Sequence, residues 1–321
     1  MEETIFSIEE HHWHVILNPN ALSKKNLSYF GSIKQKLNEL KLTYTAHVAE
    51  SCNSGIETVK KLCLQGARHF IAVGGDGTIN EVINGIFYSE IPSKEVYVAV
   101  IPIGTGNDWA RTHNYPAHYL NAMDKISEAR FIQHDIGLVE TINNNSTTHK
   151  RYFINIAGFG FDSAVIREVN KNKSKVFSKT VYLLSLLKIL FTYKAIRLTI
   201  KTADTSLTED IFTIAVGICQ YNGNGMRQVP TANPVDGKFD IAIIKKISPF
   251  KVIANIKRLY DGSHLQVVKE AISLQSDTVT ITATPHCVGE VEGELLAIGD
   301  YRISILPSSI NIMSMNKNWW I

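Results

Sequence analysis

Along the first third of the chain, short apolar runs alternate with segments whose apolar residues recur every three to four positions. Residues 14–17 predict a strand, 32–40 a helix, 43–48 a strand, 55–64 a helix, and 69–73 a strand that runs into Gly74. A helix over 80–87 and a strand over 96–101 continue the alternation. The second of these strands again ends in a glycine-bearing loop, Pro102-Ile-Gly-Thr-Gly-Asn-Asp108. Strand and helix in turn predict a parallel sheet with helices on its faces.

From about residue 135 the texture changes to β-rich runs separated by turn residues, at 136–141, 152–157, 196–202, 211–218, 239–245 and 278–282. The polar stretch Asn143-Asn-Asn-Ser-Thr-Thr-His149 reads as a hairpin tip, and 249–259 as a helix set between strands. The expected fold is α/β: an N-terminal three-layer α/β domain over 1–134 and a mainly β, sandwich-like domain over 135–301. The segment 302–321 returns to one of the two, on this reading to complete the first.

Composition narrows the function. Of 321 residues, 45% are hydrophobic and 20% charged, enough to bury a core, so disorder is excluded as the default. The 33 Lys and Arg against 30 Asp and Glu leave a net charge of +3, too mild for a nucleic-acid footprint. Cys52, Cys63, Cys219 and Cys287 are scattered, which supports neither a disulfide framework nor a zinc site and fits a reducing cytoplasm. The start, Met1-Glu-Glu-Thr-Ile-Phe-Ser-Ile-Glu-Glu10, lacks the basic and apolar regions of a signal peptide. The most apolar stretch, 181–191, is too short to cross a bilayer, which takes about 20 residues. Its Tyr182, Leu183, Leu186, Leu187 and Leu190, flanked by Lys175, Lys179, Lys188 and Lys194, suit either a core helix or one lying on a membrane.

The strongest chemical signal is Phe70-Ile-Ala-Val-Gly-Gly-Asp-Gly-Thr78 followed by Ile79-Asn-Glu-Val-Ile-Asn-Gly85. A strand ending in three glycines before a helix brings backbone N–H groups and a helix N-terminus close to a phosphate. It is not a Walker A loop, and Asn80 stands where a dinucleotide fingerprint needs its third glycine. Thr78 and Glu81 have capping-box spacing, so a tight capped turn is the plain alternative. Asp76 among phosphate-facing amides calls either for a bridging cation or for backbone N–H groups bonded to the carboxylate itself. The second loop offers Thr105 and Asn107 as neutral hydrogen-bonding groups, Asp108 for a cation or a substrate hydroxyl, and Arg111 as a fixed positive charge. Its plain alternative is a turn capped by Asn107, with Asp108 and Arg111 as a surface pair. Loops at the carboxyl ends of neighbouring strands can converge on one ligand.

At these residues the sequence resembles the diacylglycerol kinase catalytic-domain family, most closely its bacterial soluble lipid kinases. The matching pieces are Gly74-Gly-Asp-Gly-Thr78 with Asn80-Glu81, then Pro102-Ile-Gly-Thr-Gly-Asn-Asp108 with Ala110-Arg111. The first is shared with NAD kinases and phosphofructokinases, whereas the second is characteristic of lipid kinases. Asn18-Pro19 looks like the family's opening nucleotide-side turn. Asp135-Ile-Gly137, Asn155-Ile-Ala-Gly-Phe-Gly-Phe-Asp162, and Asn222-Gly-Asn-Gly225 with Pro230, Asp236-Gly237 and Asp240 look like its β-domain landmarks.

The resemblance implies an ATP- and Mg²⁺-dependent lipid kinase. ATP would be held by Asn18, Gly74, Gly75, Asp76, Gly77, Thr78, Ile79, Asn80, Glu81 and Thr105, with Asp76 also catalytic and Asn107, Asp108 and Arg111 auxiliary. A structural Mg²⁺ would sit on Asp236 and the carbonyls of Asn233 and Lys238; the bare sequence there is equally a good turn. In Gly289-Glu-Val-Glu-Gly-Glu294 the match makes Glu294 the general base, with Glu292 in place of the family's Asp; solvated acids on an edge strand are the alternative. A lipid acceptor implies peripheral contact with the inner membrane face, through 181–191 or Trp319-Trp320. A soluble-substrate kinase of the NAD-kinase kind and a non-catalytic nucleotide-binding module are the alternatives, and a homodimer is left open.

Overall fold

The computed structural model describes residues 8–19, 28–49, 51, 53–126, 130–144, 146–171 and 179–320; for residues 28, 171 and 179–185 the backbone alone is described. Cys52, Lys175 and the side chains of Lys179, Tyr182 and Leu183 therefore lie outside the described part. The chain divides into two compact units, residues 1–136 with 307–321, and residues 137–306.

The first unit runs β1 (His12–Leu17), α1 (Ser28–Glu39), β2 (Thr43–Val48), α2 (Ser54–Leu64), β3 (His69–Gly74), α3 (Asp76–Tyr88), β4 (Tyr97–Pro102), α4 (Asp108–Thr112) and α5 (Tyr119–Asp124). Its strands pair in parallel in the order β2-β1-β3-β4. One face of the sheet presents Trp13, Val15, Ile71, Val73, Ala99 and Ile101 to Ile33 and Leu37 of α1 and to Tyr119 and Met123 of α5. On the other, Phe70, Ala72, Val98 and Val100 are buried, and α3 lies against β3 and β1. Coverage on both faces explains why β3 and β4 read as unbroken apolar runs. Where α2 meets α3 there is room only for glycine: a Cβ on Gly85 would lie 2.7 Å from the Ile56 carbonyl oxygen and from Val59 Cβ.

The second unit is antiparallel. β5 (Arg130–Asn143) carries the chain into it, followed by β6 (Ser146–Phe153), β7 (Ile156–Gly160), α6 (Phe161–Lys171), α7 (Lys179–Thr192), β8 (Ile196–Lys201), β9 (Ser206–Gly217) and β10 (Phe239–Lys245). Then come α8 (Pro249–Asp261), α9 (His264–Val267), β11 (Ala271–Ser276), β12 (Thr278–Ala283), β13 (Gly289–Val291), β14 (Glu294–Leu295) and β15 (Asp300–Ser314). β9 organises the sheet: its first half pairs with β8, its second half with β7 on one side and β10 on the other. The order is β14-β13-β7-β9-β8-β12-β15, with β11 attached through β10. The end of β15 leaves this unit, and Asn311 and Ile312 pair in parallel with Tyr97 and Val98 as the fifth strand of the first sheet.

Two sequence expectations need correcting. The single strand expected over 152–157 is two strands, because Glu292 Oε1 takes the N–H groups of Ile154 and Asn155 at 2.7 and 2.9 Å and so withdraws them from the ladder. Thr78 and Glu81 do not form a capping box. The helix begins at Asp76 with Gly75 as its N-cap, and the Glu81 carboxylate accepts the N–H groups of Asn53 at 3.2 Å and Gly55 at 3.0 Å instead. Glu81 thus caps α2, a neighbour in space. Glu81→Ala leaves two N–H donors at the start of α2 without their acceptor and is expected to cost about 1–2 kcal/mol in urea unfolding.

Candidate active site

In the first unit the two glycine loops form one structure. Ile103 N–H donates to the Gly74 carbonyl at 2.9 Å, and a Cβ on Gly104 would stand 2.6 Å from Gly75 Cα, so the backbones touch. The Asp76 carboxylate joins them a second time: Oδ2 accepts Asp108 N–H at 3.0 Å and Oδ1 accepts Trp109 N–H at 2.9 Å. Of the two ways to accommodate this carboxylate, backbone N–H groups are the one observed. Burial raises its pKa, and the two N–H bonds oppose the rise. Asp108 is buried, and Arg111 lies 3.4 Å from its Oδ1. The pairing of Asp108 with Arg111 follows the plain reading of the second loop, but only Arg111 is at the surface. Asn107 takes φ +50° and donates to the Gly104 carbonyl at 2.8 Å.

What remains open in this loop pair matches a phosphate cradle. Thr78 Oγ1 and Asn107 Oδ1 are buried without a hydrogen-bond partner among the described residues. Among the described residues, a Cβ on Gly77 would meet nothing within 4 Å, and no side chain caps the N-terminus of α3. Thr105 is exposed at the tip of the second loop, and Asn18, after β1, bonds through its N–H to the Val73 carbonyl at 3.3 Å, beside the end of β3. Ile79, Asn80 and Glu81 are buried. Asn80 is bonded to Asn84 and Glu81 to α2, and the Ile79 N–H already donates to the Gly75 carbonyl at 3.3 Å, so the free N–H groups of the helix start lie before Ile79. A Cβ on Gly106 would lie 3.4 Å from Asp76 Oδ2 and 3.8 Å from Asp108 Oδ2, so both carboxylates lie close to this glycine, and carboxylate oxygens are the donors a hard divalent cation takes.

In the second unit the late acidic run is a hairpin whose outer strand, β14, is an edge of the sheet, and its acids differ in exposure from the buried Glu290 to the half-exposed Glu294. β13 and β14 turn through Glu292 at φ +51° and Gly293 at φ +85°, the two positive angles of a tight hairpin turn. Glu292 reaches back to Ile154 and Asn155. Glu294, half-exposed, pairs with Arg151 at 2.8 Å. Glu290 is buried and accepts Gly293 N–H at 2.8 Å. Burial, and then the nearby charge of Asp162, push its pKa up to about 8. Asp162 is raised to about 6 by burial, against hydrogen bonds from Thr213 and Gln228. Sequence reasoning assigned nothing to Glu290 or Arg151, since alternation along a strand says which face a residue takes and not what covers that face.

Asp162 also borders a cavity of about 140 Å³ within this unit, whose walls include Phe212, Ala215, Ala242, Val252 and Leu259. Asp236, Asn233 and Lys238 form a turn closed by its own bonds: Asn233 Oδ1 accepts Val235 N–H at 3.3 Å, and Asp236 Oδ1 accepts Lys238 N–H at 3.0 Å. At the C-terminus Trp319 is buried with its ring 5.0 Å from that of His113, and Trp320 Nε1 donates to the Ser314 carbonyl at 3.1 Å. Trp319 is thus part of the core of the first unit, and Trp320 is half-buried.

Two outcomes are expected. Gly77→Val fills the open side of the first loop, so nucleotide affinity falls about ten- to hundredfold by calorimetry, while stability stays within about 0.5 kcal/mol of wild type. Glu290 holds its proton in the folded state up to about pH 8 but loses it near its ordinary value of 4.5 once unfolded. Stability is thus fully present below that ordinary value and falls as pH rises through about 8, and Glu290→Gln flattens the slope in denaturant titrations across this window.

The comparisons with known proteins agree with this geometry. The family described as the diacylglycerol kinase catalytic domain matches residues 12–139, and the YegS C-terminal NAD kinase beta sandwich-like domain matches residues 155–314. A diacylglycerol kinase of Bacillus subtilis is 26% identical over 87% of this chain and 88% of its own length. A "probable lipid kinase YegS-like" of Serratia proteamaculans is 26% identical over 86% of each. Among solved structures, a diacylglycerol kinase of Bacillus anthracis shares the fold with a TM-score of 0.69 at 17% identity, over 96% of this chain and 98% of its own. Two glycine loops tied together in a parallel α/β unit, followed by an antiparallel unit with an acidic hairpin, place the chain in the diacylglycerol kinase catalytic-domain family, a family of kinases.

Proposed function

We propose that the protein transfers the γ-phosphate of ATP, with Mg²⁺, to the hydroxyl of a lipid acceptor of the diacylglycerol type. The observation that carries this is the loop pair joined by Asp76, with Thr78 Oγ1 against Gly74 and Asn107 Oδ1 against Gly75 and Gly104, both buried and without a hydrogen-bond partner among the described residues. Phosphoryl transfer asks little covalent work of a protein; it needs the phosphates held, their charge neutralised and the acceptor proton removed. The backbone of the first loop, the Thr78 hydroxyl and the N-terminus of α3 hold the phosphates. Thr105 and Asn107 add neutral contacts. Mg²⁺, on Asp76 and Asp108, would supply the charge neutralisation that phosphate oxygens need. Glu294, oriented by Arg151, accepts the hydroxyl proton as it is lost in the transition state. Glu292 fixes the hairpin that presents Glu294.

A lipid acceptor is supported by the names of the relatives and by the apolar cavity of the second unit. A second Mg²⁺, on Asp236 and the carbonyls of Asn233 and Lys238, would be structural. The pKa of Asp236 is raised by burial and, more weakly, by the charge of Asp240, a repulsion that a cation there relieves.

The test is transfer of labelled γ-phosphate from ATP and Mg²⁺ to a panel of lipid hydroxyls in mixed micelles. A labelled lipid is expected, with turnover falling about a hundredfold or more in Glu294→Gln while ATP binding is kept. Product with a soluble acceptor and with none of the lipids would overturn the lipid reading, and near-normal turnover in Glu294→Gln would remove that residue as the base.

A further inference from the structure

Helix α8 is apolar on two sides. Val252, Asn255 and Leu259 face the cavity of the second unit. A separate row, Phe250, Ile253, Ile256 and Tyr260, repeats at helical spacing and stands in solvent, with Phe250 74% exposed and Tyr260 54%. The last turn of α7 extends this row: the Phe191 ring is exposed, with its centroid 5.4 Å from that of Phe250. Large apolar side chains gathered in one exposed row mark a surface with a partner.

The charges around the row indicate which partner. Lys257 lies within the row on α8, Lys188 is exposed one turn before Phe191 on α7, and Lys246 and Lys269 are exposed on the segments before α8 and after α9. Lys257 and Lys269 form no ion pair among the described residues, and Lys246 has only a long contact, 3.9 Å, with Asp210. Opposing acids are few: Glu270 is taken by Lys251, and Asp261, at the end of α8, bonds Ser263 N–H. A second copy of this face would set lysine against lysine. A bilayer with anionic headgroups accepts the apolar row and the lysines together.

We propose that the outer face of α8, with Phe191, docks the second unit on the surface of a bilayer containing anionic lipid. The proposal extends the lipid-kinase reading, on which its purpose rests, by naming the surface from which the acceptor is taken. The face that enters the bilayer boundary and the face that walls the cavity belong to one helix, which keeps the path of a lipid short.

The test is flotation of the full chain with vesicles of phosphatidylcholine alone or mixed with phosphatidylglycerol. Wild type is expected to float with the mixed vesicles and far less with the neutral ones. Phe250→Glu with Ile253→Glu, and separately Lys257→Glu with Lys269→Glu, should each weaken binding by more than about tenfold, with unchanged melting curves and unchanged turnover on a short-chain, water-dispersed acceptor. Equal flotation of wild type and both variants, or no flotation at all, would overturn the proposal. So would a concentration-dependent dimer in sedimentation that the Phe250 and Ile253 changes abolish, since the row would then be a contact between copies. If lipid is phosphorylated but binding does not depend on α8, the docking face is wrong and the kinase reading stands. If binding depends on α8 but no lipid is phosphorylated, docking stands and the kinase reading falls.

Discussion

The first unit is organised around one half-buried carboxylate. Asp76 begins α3 and spends both oxygens on the first N–H groups of α4, thirty-odd residues further along. Charge-assisted bonds of this kind are short and strong, and inside a protein an unmade one is expensive. The bond from Ile103 to Gly74 and the contact of Gly75 with Gly104 then follow as a set, because loops held this close leave no space for a side chain on Gly104 and little on Gly75. The result is a rigid rim of backbone with one open side at Gly77. Rigidity of this sort suits phosphoryl transfer, in which positioning supplies most of the catalysis.

The second unit uses carboxylates differently. Glu292 replaces a rung of the β ladder by capturing Ile154 and Asn155, which frees the chain to end β6 and start β7. Glu290 is held in the interior beneath the same turn, next to Asp162, where burial favours the neutral acid. A Cβ on Gly158 would crowd both, coming within 3.2 Å of Asp162 Cβ. Three acids within five residues thus have three roles, set by surroundings: one buried, one bonded to backbone, and one at the surface with an arginine.

The alternating pattern and the two glycine loops were legible in the sequence, because a strand buried on both faces and a glycine-rich turn each leave a local mark. Thr43–Val48 and Phe239–Lys245 have the bounds that the pattern gives. Less local features were hidden. The spacing of Thr78 and Glu81 suggested one helix capping itself, whereas the partner of Glu81 lies on α2, and only packing decides between them. β15 was obscured by Pro307 and two serines, although Ser308 N–H is held by Asp135 Oδ1 at 2.7 Å. The apolar stretch in α7 and the terminal tryptophans drew attention as membrane elements, but Trp319 is core. The exposed apolar row lies on α8, whose apolar residues spread over two faces and whose periodicity therefore looks ordinary.

Asp76 ties the two loops into a preformed cradle before any nucleotide arrives. Amide hydrogen exchange of the nucleotide-free protein, wild type against Asp76→Asn, tests it most directly. The account predicts strong protection at Asp108 and Trp109 in the wild type, lost by more than about tenfold in the variant while β3 and β4 keep theirs. Equal protection of those two amides in both proteins would contradict it, for the loops would then be held by something other than this carboxylate.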